Sequence, residues 1–257
     1  MDESIREKII TRLQEIEKEH NVRVLYAVES GSRAWGLESS DSDYDIRFIY
    51  MHTSEWYLNI LPKRDVIEYP IIDIFDYSGW DIRKVLFLMN KSNPVLFEWL
   101  ISPIVYMYNE GAYNLILEAS GKYYSPVTSI YHYLHMAKCN NRDYLHGEIV
   151  KVKKYFYVLR PLFACIWIEK NNTPPPVEFE KLMQSAGISR ELENAVRELI
   201  AKKRSGCEMG LERRIPVIND FINQKIEYFE KHDVIHNLKN RPTAAYLDEK
   251  FVEILKL

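Results

Sequence analysis

Asp43 and Asp45, with a single residue between them, stand at the entrance to the apolar run 46–50, IRFIY. Residues alternate faces along a strand, so the two carboxylates point the same way. Like charges side by side are costly unless a cation lies near them. A divalent ion removes that cost, and magnesium takes oxygen ligands, commonly carboxylates together with substrate phosphates. Upstream, the run 22–28 (VRVLYAV) is rich in β-branched residues and reads as a second strand. Gly31 and Ser32 follow it, and they suit a tight turn whose backbone amides hold phosphate oxygens. Ser32 is equally a helix cap, which is compatible with an anion site. Two readings stand: a metal–nucleotide site, or a hairpin with an acidic turn, since SSDSD (39–43) is also a good loop sequence.

Longer motifs narrow the choice. Gly31-Ser32-Arg33 followed by Ser42-Asp43-Tyr44-Asp45 resembles the signature of the DNA polymerase beta-like nucleotidyltransferase superfamily. The likeness is closer still to the predicted nucleotidyltransferase family that includes RNA-repair-associated polymerase-like proteins. It is carried by GSRAWGLESSDSDYDIRFIY (31–50), SGWDIRKVLFLMNKSNPVLFEWLISPIVY (78–106) and KKYFYVLRPLFACIWI (153–168), and it spans roughly residues 5–185. The resemblance implies an α+β fold: a minimal nucleotidyltransferase core, with a mixed twisted sheet covered by helices, then a helical C-terminal region. It implies Mg²⁺ or Mn²⁺ as cofactor, an NTP as donor, and Asp43 and Asp45 as catalytic metal ligands. A third carboxylate comes from a later strand. Asp73 and Asp76 compete for it; the position just before Ser-Gly-Trp-Asp favours Asp76, while Asp73 lies nearer mid-strand. Gly31, Ser32 and Arg33 would steady the nucleotide phosphates. An RNA 3′ end is the implied acceptor, with a protein or small-molecule hydroxyl, or a non-catalytic nucleotide-binding role, as alternatives.

Composition excludes several other classes. The 257 residues are 47% hydrophobic, enough to bury one large core or two modest ones. The formal charge of -3 gives no global basic signal for nucleic acid, although local patches remain open. Cys139, Cys165 and Cys207 lie far apart, which argues for a reducing, cytoplasmic setting and against a zinc cluster. Neither a dinucleotide-binding G-x-G-x-x-G nor a P-loop occurs. No run of 18 apolar residues suggests a transmembrane helix, and the charged N-terminus does not read as a signal peptide.

Along the chain, 4–19 reads as an amphipathic helix capped by Ser4 and covering the sheet. Trp35 is expected to pack against that sheet. Arg47 shares the face of Asp43 and Asp45, as countercharge or phosphate contact. The run 66–76 supplies the last core strands, broken by Pro70. Ser78 is expected to cap a helix over 79–90, with Asp81 in its first turn. A boundary near 120 divides a catalytic domain (1–120) from a helical domain (121–257) that binds substrate or acceptor. The longest helical pattern runs 147–170, with a kink expected at Pro161. On it Lys153, Lys154, Tyr157 and Arg160 form either a basic stripe for nucleotide or acceptor, with Lys153 and Arg160 as binding residues, or a solvated face. The Lys202-Lys203-Arg204 cluster reads as an RNA contact or a solvated helix end.

Overall fold

The computed structural model describes residues 2–205, 210–231 and 242–257. The chain forms two compact units. The first comprises Met1–Ala34, Asp43–Tyr124 and Asn240–Leu257; the second comprises Trp35–Ser42 and Ser125–Lys239.

The first unit is built on a five-stranded sheet. Its strands are β1 (Arg23–Glu29), β2 (Tyr44–Met51), β3 (Val66–Glu68), β4 (Phe75–Asp81) and β5 (Val105–Tyr108), in the order β3-β4-β2-β1-β5. Only the β2–β4 pair is parallel. All of β1 after Arg23 is buried, as expected of a central strand covered on both faces. Helix α1 (Glu3–His20) covers one face, burying Ile9, Leu13 and Ile16 against Ala27, Ile46, Phe48 and Tyr50. Each such aliphatic side chain contributes about 1.5–3 kcal/mol when fully buried. The cap of α1 is Asp2, whose carboxylate accepts from the Ser4 amide, so the helix begins one residue earlier than the pattern predicted. The four-residue helices α2 (Gly31–Ala34) and α3 (Ser54–Tyr57) flank β2 in the chain. The opposite face of the sheet carries α4 (Ile82–Asn90), α5 (Pro94–Leu100) and α6 (Glu110–Tyr123), which meet Leu25, Val28 and Ile49 in a second core.

The strand β4 runs straight through Ser78-Gly79-Trp80, where the sequence suggested a helix start. Pairing with β2 on one side and β3 on the other holds these residues extended. Gly79 makes that possible: a Cβ there would lie 2.2 Å from the Phe48 ring, which crosses the strand. Asp81, rather than Ser78, therefore caps α4, accepting from the Arg83 amide at 2.8 Å. Its other carboxylate oxygen accepts from the Tyr57 hydroxyl at 2.8 Å. Burial pushes the Asp81 carboxyl up to about 6, and these two bonds oppose the shift.

The second unit is mainly helical. It contains α7 (Pro126–Tyr144), β6 (Ile149–Lys151), a 3-10 turn (Val152–Lys154), α8 (Tyr155–Asn171), α9 (Phe179–Ser185), α10 (Arg190–Arg204), β7 (Leu211–Arg213) and α11 (Pro216–Lys231). The predicted helix over 147–170 is thus a strand, a turn and a shorter helix, because β6 pairs with β7. Pro161 stays inside α8. That helix is buried nearly all round, and packing of this kind offsets a lost backbone bond. The segment Trp35–Ser42 belongs to this unit, which corrects the expectation that Trp35 packs against the sheet. The Trp35 ring lies under the Arg160 guanidinium at 4.7 Å and meets Tyr157 edge-on at 5.7 Å. Its carbonyl accepts from the Phe179 amide at 2.9 Å. Lys203 is buried and donates to the Leu37 carbonyl, while Arg204 donates to Gly36 O at 2.9 Å. Two of the three residues in the basic cluster at 202–204 therefore clasp this segment.

The last helix, α12 (Ala244–Ile254), returns to the first unit and packs Leu247 and Ile254 into the core of α4 and α6. The sheet unit thus differs from the span 1–120: it reaches Tyr124 and regains the C-terminal helix, while Ser125–Lys239 falls in the second unit. Cys139 and Cys165 are free thiols; Cys207 lies outside the described residues. Among the described residues no helix is long and apolar enough to cross a membrane.

Candidate active site

Strand register brings two carboxylates together. Asp45 on β2 is paired with Asp76 on β4. The first half of β2 alternates, so Tyr44 and Ile46 are buried while Asp45 and Arg47 share a half-exposed face. Asp73 is elsewhere. It lies exposed in the turn that joins Ile72 to Phe75, with φ 54, a left-handed conformation that aspartate tolerates in tight turns. Of the two acids competing for third position, the fold sets Asp76 beside Asp45 and leaves Asp73 in a hairpin turn. Asp43 is exposed just ahead of β2.

The Gly31 turn closes onto the same strand. Gly31 has φ +59, and a Cβ there would lie 1.9 Å from Asp45 Oδ2, so only glycine permits this approach. The Ser30 amide donates to the Asp45 carbonyl at 2.8 Å. Ser32 sits half-exposed in α2, whose first-turn amides have no acceptor within the helix. Arg33 Nε donates to the Asp43 carbonyl at 3.1 Å, and its guanidinium lies 3.7 Å from the Tyr44 ring centroid.

Arg47 holds the carboxylate pair. Its Nη2 donates to Asp45 Oδ1 at 3.0 Å and to Asp76 Oδ2 at 2.7 Å. Burial lifts the Asp45 carboxyl above its ordinary range; Arg47 opposes that shift, while Asp76 and Asp43 reinforce it.

A fourth acid was not singled out from the sequence. Glu29 ends β1 and is fully buried. Its Oε1 accepts from the Asp45 amide at 2.7 Å, and the Tyr106 hydroxyl donates to Oε2. Burial pushes the Glu29 carboxyl up to about 7, against the pull of these two bonds. The available signal was a carboxylate closing an otherwise apolar strand, where a buried charge requires partners.

Lys153 and Arg160 belong to the second unit. Lys153 is exposed in the 3-10 turn, whereas Arg160 is buried in α8 with Nε donating to the Val177 carbonyl at 3.3 Å. The predicted stripe therefore divides. Lys154 lies 4.4 Å from the Tyr144 ring centroid and 4.5 Å from that of Tyr157, making a basic and aromatic surface, while Arg160 braces Trp35.

Among the described residues no three acidic, histidine or cysteine side chains are gathered closely enough to hold a metal ion. The donor chemistry nevertheless suits a hard divalent cation: paired carboxylates on adjacent strands, 28% and 25% exposed at Asp45 and Asp76, with Asp43 just ahead.

Comparison with known proteins places these features in context. A family model described as the RNA repair pathway DNA polymerase beta family (RlaP) matches residues 5–253. The uncharacterized protein YcgL of Bacillus subtilis (strain 168) is 50% identical over 223 residues, covering 87% of this chain and 86% of that protein. The crystal structure of a nucleotidyltransferase-like protein from Exiguobacterium sibiricum 255-15 aligns over 95% of this chain and 76% of that one. Identity is 12% and the TM-score 0.31, too low to bear on the arrangement of the site.

Proposed function

The chain belongs to the RNA repair pathway DNA polymerase beta family, a nucleotidyltransferase-like family, and from that premise we propose that it transfers a nucleoside monophosphate from an NTP to the 3′ hydroxyl of RNA. The observation that carries the reading is the alignment of Asp45 with Asp76 beside the Gly31 turn. In this reaction the acceptor oxygen bonds to the α-phosphorus as the bond to pyrophosphate breaks.

Asp45 and Asp76, joined by Asp43 from just ahead of β2 and by the NTP phosphates, would hold Mg²⁺ or Mn²⁺, which supplies charge neutralisation and activation of the attacking hydroxyl. The chain's own groups do the rest. Gly31 and Ser32 offer backbone amides and a hydroxyl to phosphate oxygens, and Arg33, anchored on Asp43 and Tyr44, adds positive charge there. Glu29 fixes the Asp45 backbone through its amide, so the carboxylate starts from a set position. Lys153 and Lys154, with Tyr144 and Tyr157, offer charge for an RNA backbone and rings for bases. Arg160 serves by holding Trp35.

The test is a gel assay with NTP, Mg²⁺ and a defined RNA oligonucleotide. An RNA with a free 3′ hydroxyl should lengthen, and one with a blocked 3′ end should not. Equal labelling of both would refute the proposed acceptor atom.

A further inference from the structure

Arg47 does more than sit near the carboxylates. A single nitrogen, Nη2, bonds to both Asp45 and Asp76, at 3.0 and 2.7 Å. Its other terminal nitrogen, Nη1, is seated on backbone, donating to the Asp76 carbonyl at 3.0 Å and the Ile46 carbonyl at 3.2 Å. The arm is therefore fixed from both strands of the parallel pair. The Arg47 side chain is only 18% exposed, less than either partner. Two carboxylates facing each other across adjacent strands repel, and a bridging cation relieves that strain. A planar fork can reach both acids and both carbonyls at once; a lysine ammonium cannot.

We propose that Arg47 is a built-in stand-in for the metal: it bridges Asp45 and Asp76 in the metal-free protein and must leave at least one of them when a divalent ion binds. The inference rests on the reading of these aspartates as metal ligands. Arg47 takes one oxygen of each acid, Asp45 Oδ1 and Asp76 Oδ2, and a divalent ion drawing on these oxygens would compete with it. Metal affinity is then lowered by the free energy of displacing the guanidinium, and only the differential between the two states sets the shift. In return, the parallel pair stays closed and the acids stay placed before metal arrives.

The test is Mn²⁺ titration without nucleotide, followed by the electron paramagnetic resonance signal of the free ion, on the full chain and on R47M and R47K. The wild type should bind Mn²⁺. R47M should bind it tighter by about ten-fold or more. R47K should fall between, because it keeps the charge but loses the bridge. In EDTA, R47M should melt below the wild type, and saturating Mn²⁺ should raise its Tm by more than it raises that of the wild type. If the wild type binds and R47M binds no tighter, the displacement idea fails while the metal site stands. If R47K matches the wild type while R47M is tighter, charge alone is responsible and the exchange is overturned. If no protein binds Mn²⁺, the metal-site reading fails and takes this inference with it. Should R47M not fold, R47K alone decides: tighter binding than wild type supports the exchange, and equal binding overturns it.

Discussion

Asp45 and Asp76 face each other across the parallel β2–β4 pair, joined through one nitrogen of Arg47. Asp73, three residues before Asp76, is turned into an exposed hairpin with a left-handed backbone. The two acids should therefore respond differently to the same substitution. Asp76→Asn is expected to lower nucleotidyl transfer by on the order of 100-fold or more, through loss of a charge that positions the reacting groups. Asp73→Asn should stay within a few-fold of wild type. The reverse ranking in a labelled-NTP assay would move the third carboxylate to Asp73.

Gly31→Ala tests the closeness of turn and strand. The added carbon would overlap Asp45 Oδ2, and the backbone there has positive φ. A loss of about 1–3 kcal/mol in stability is expected, with transfer activity falling alongside. Urea melts measure the first and the labelled-NTP assay the second. A variant as stable and active as wild type would show that the Asp45 carboxylate has room elsewhere.

Glu29 predicts a pH dependence with a definite sign. Its folded pKa, near 7, lies above the ordinary value of 4.5. Between those values the folded state binds more protons than the unfolded state, so stability falls as pH rises. The contribution is fully present below about pH 4.5 and is lost as pH passes 7. Glu29→Gln, which cannot ionise, should flatten the stability curve over that window relative to wild type by roughly 1–3 kcal/mol. Parallel curves from chemical melts at pH 5, 6 and 7 would show that Glu29 is not the titrating group.

The two kinds of basic residue in the helical unit should separate cleanly. Replacing Lys153 and Lys154 together by alanine is expected to weaken single-stranded RNA binding and to shallow its log–log salt slope by about 1.4, while Mg²⁺-dependent NTP binding persists. Arg160→Met should leave that slope unchanged and instead lower stability by about 1–3 kcal/mol, through loss of the Trp35 stack and the bond to Val177. Filter binding across a salt series and a thermal melt distinguish the outcomes.

Much of the sheet unit was legible from local pattern. The β-branched run of β1, the alternation from Tyr44 to Arg47, and the glycine turn at Gly31 each follow from residue chemistry over a few positions, whereas Asp43, read as part of that strand, lies just ahead of it. The competition between Asp73 and Asp76 needed strand register, which the intervening turn decides. Three features were hidden because distant residues set them. β4 continues through Ser78 because β2 and β3 pair with it on both sides, and Gly79 leaves room for the Phe48 ring. The segment around Trp35 joins the helical unit because Arg160, Phe179, Lys203 and Arg204 receive it. Glu29 closes an apolar run beside Ser30, and its role emerges only from Tyr106 and the Asp45 amide.

Transfer to RNA through the Asp45–Asp76 site can be read by incubating the protein with each of the four α-labelled NTPs, Mg²⁺, and a mixed pool of cellular RNA, protein and metabolites. Label should enter material that RNase destroys and protease does not, and should be absent when Asp45→Asn replaces the wild type. Label that survives RNase and is lost with protease, label confined to a soluble metabolite, or RNA labelled equally by Asp45→Asn would contradict it.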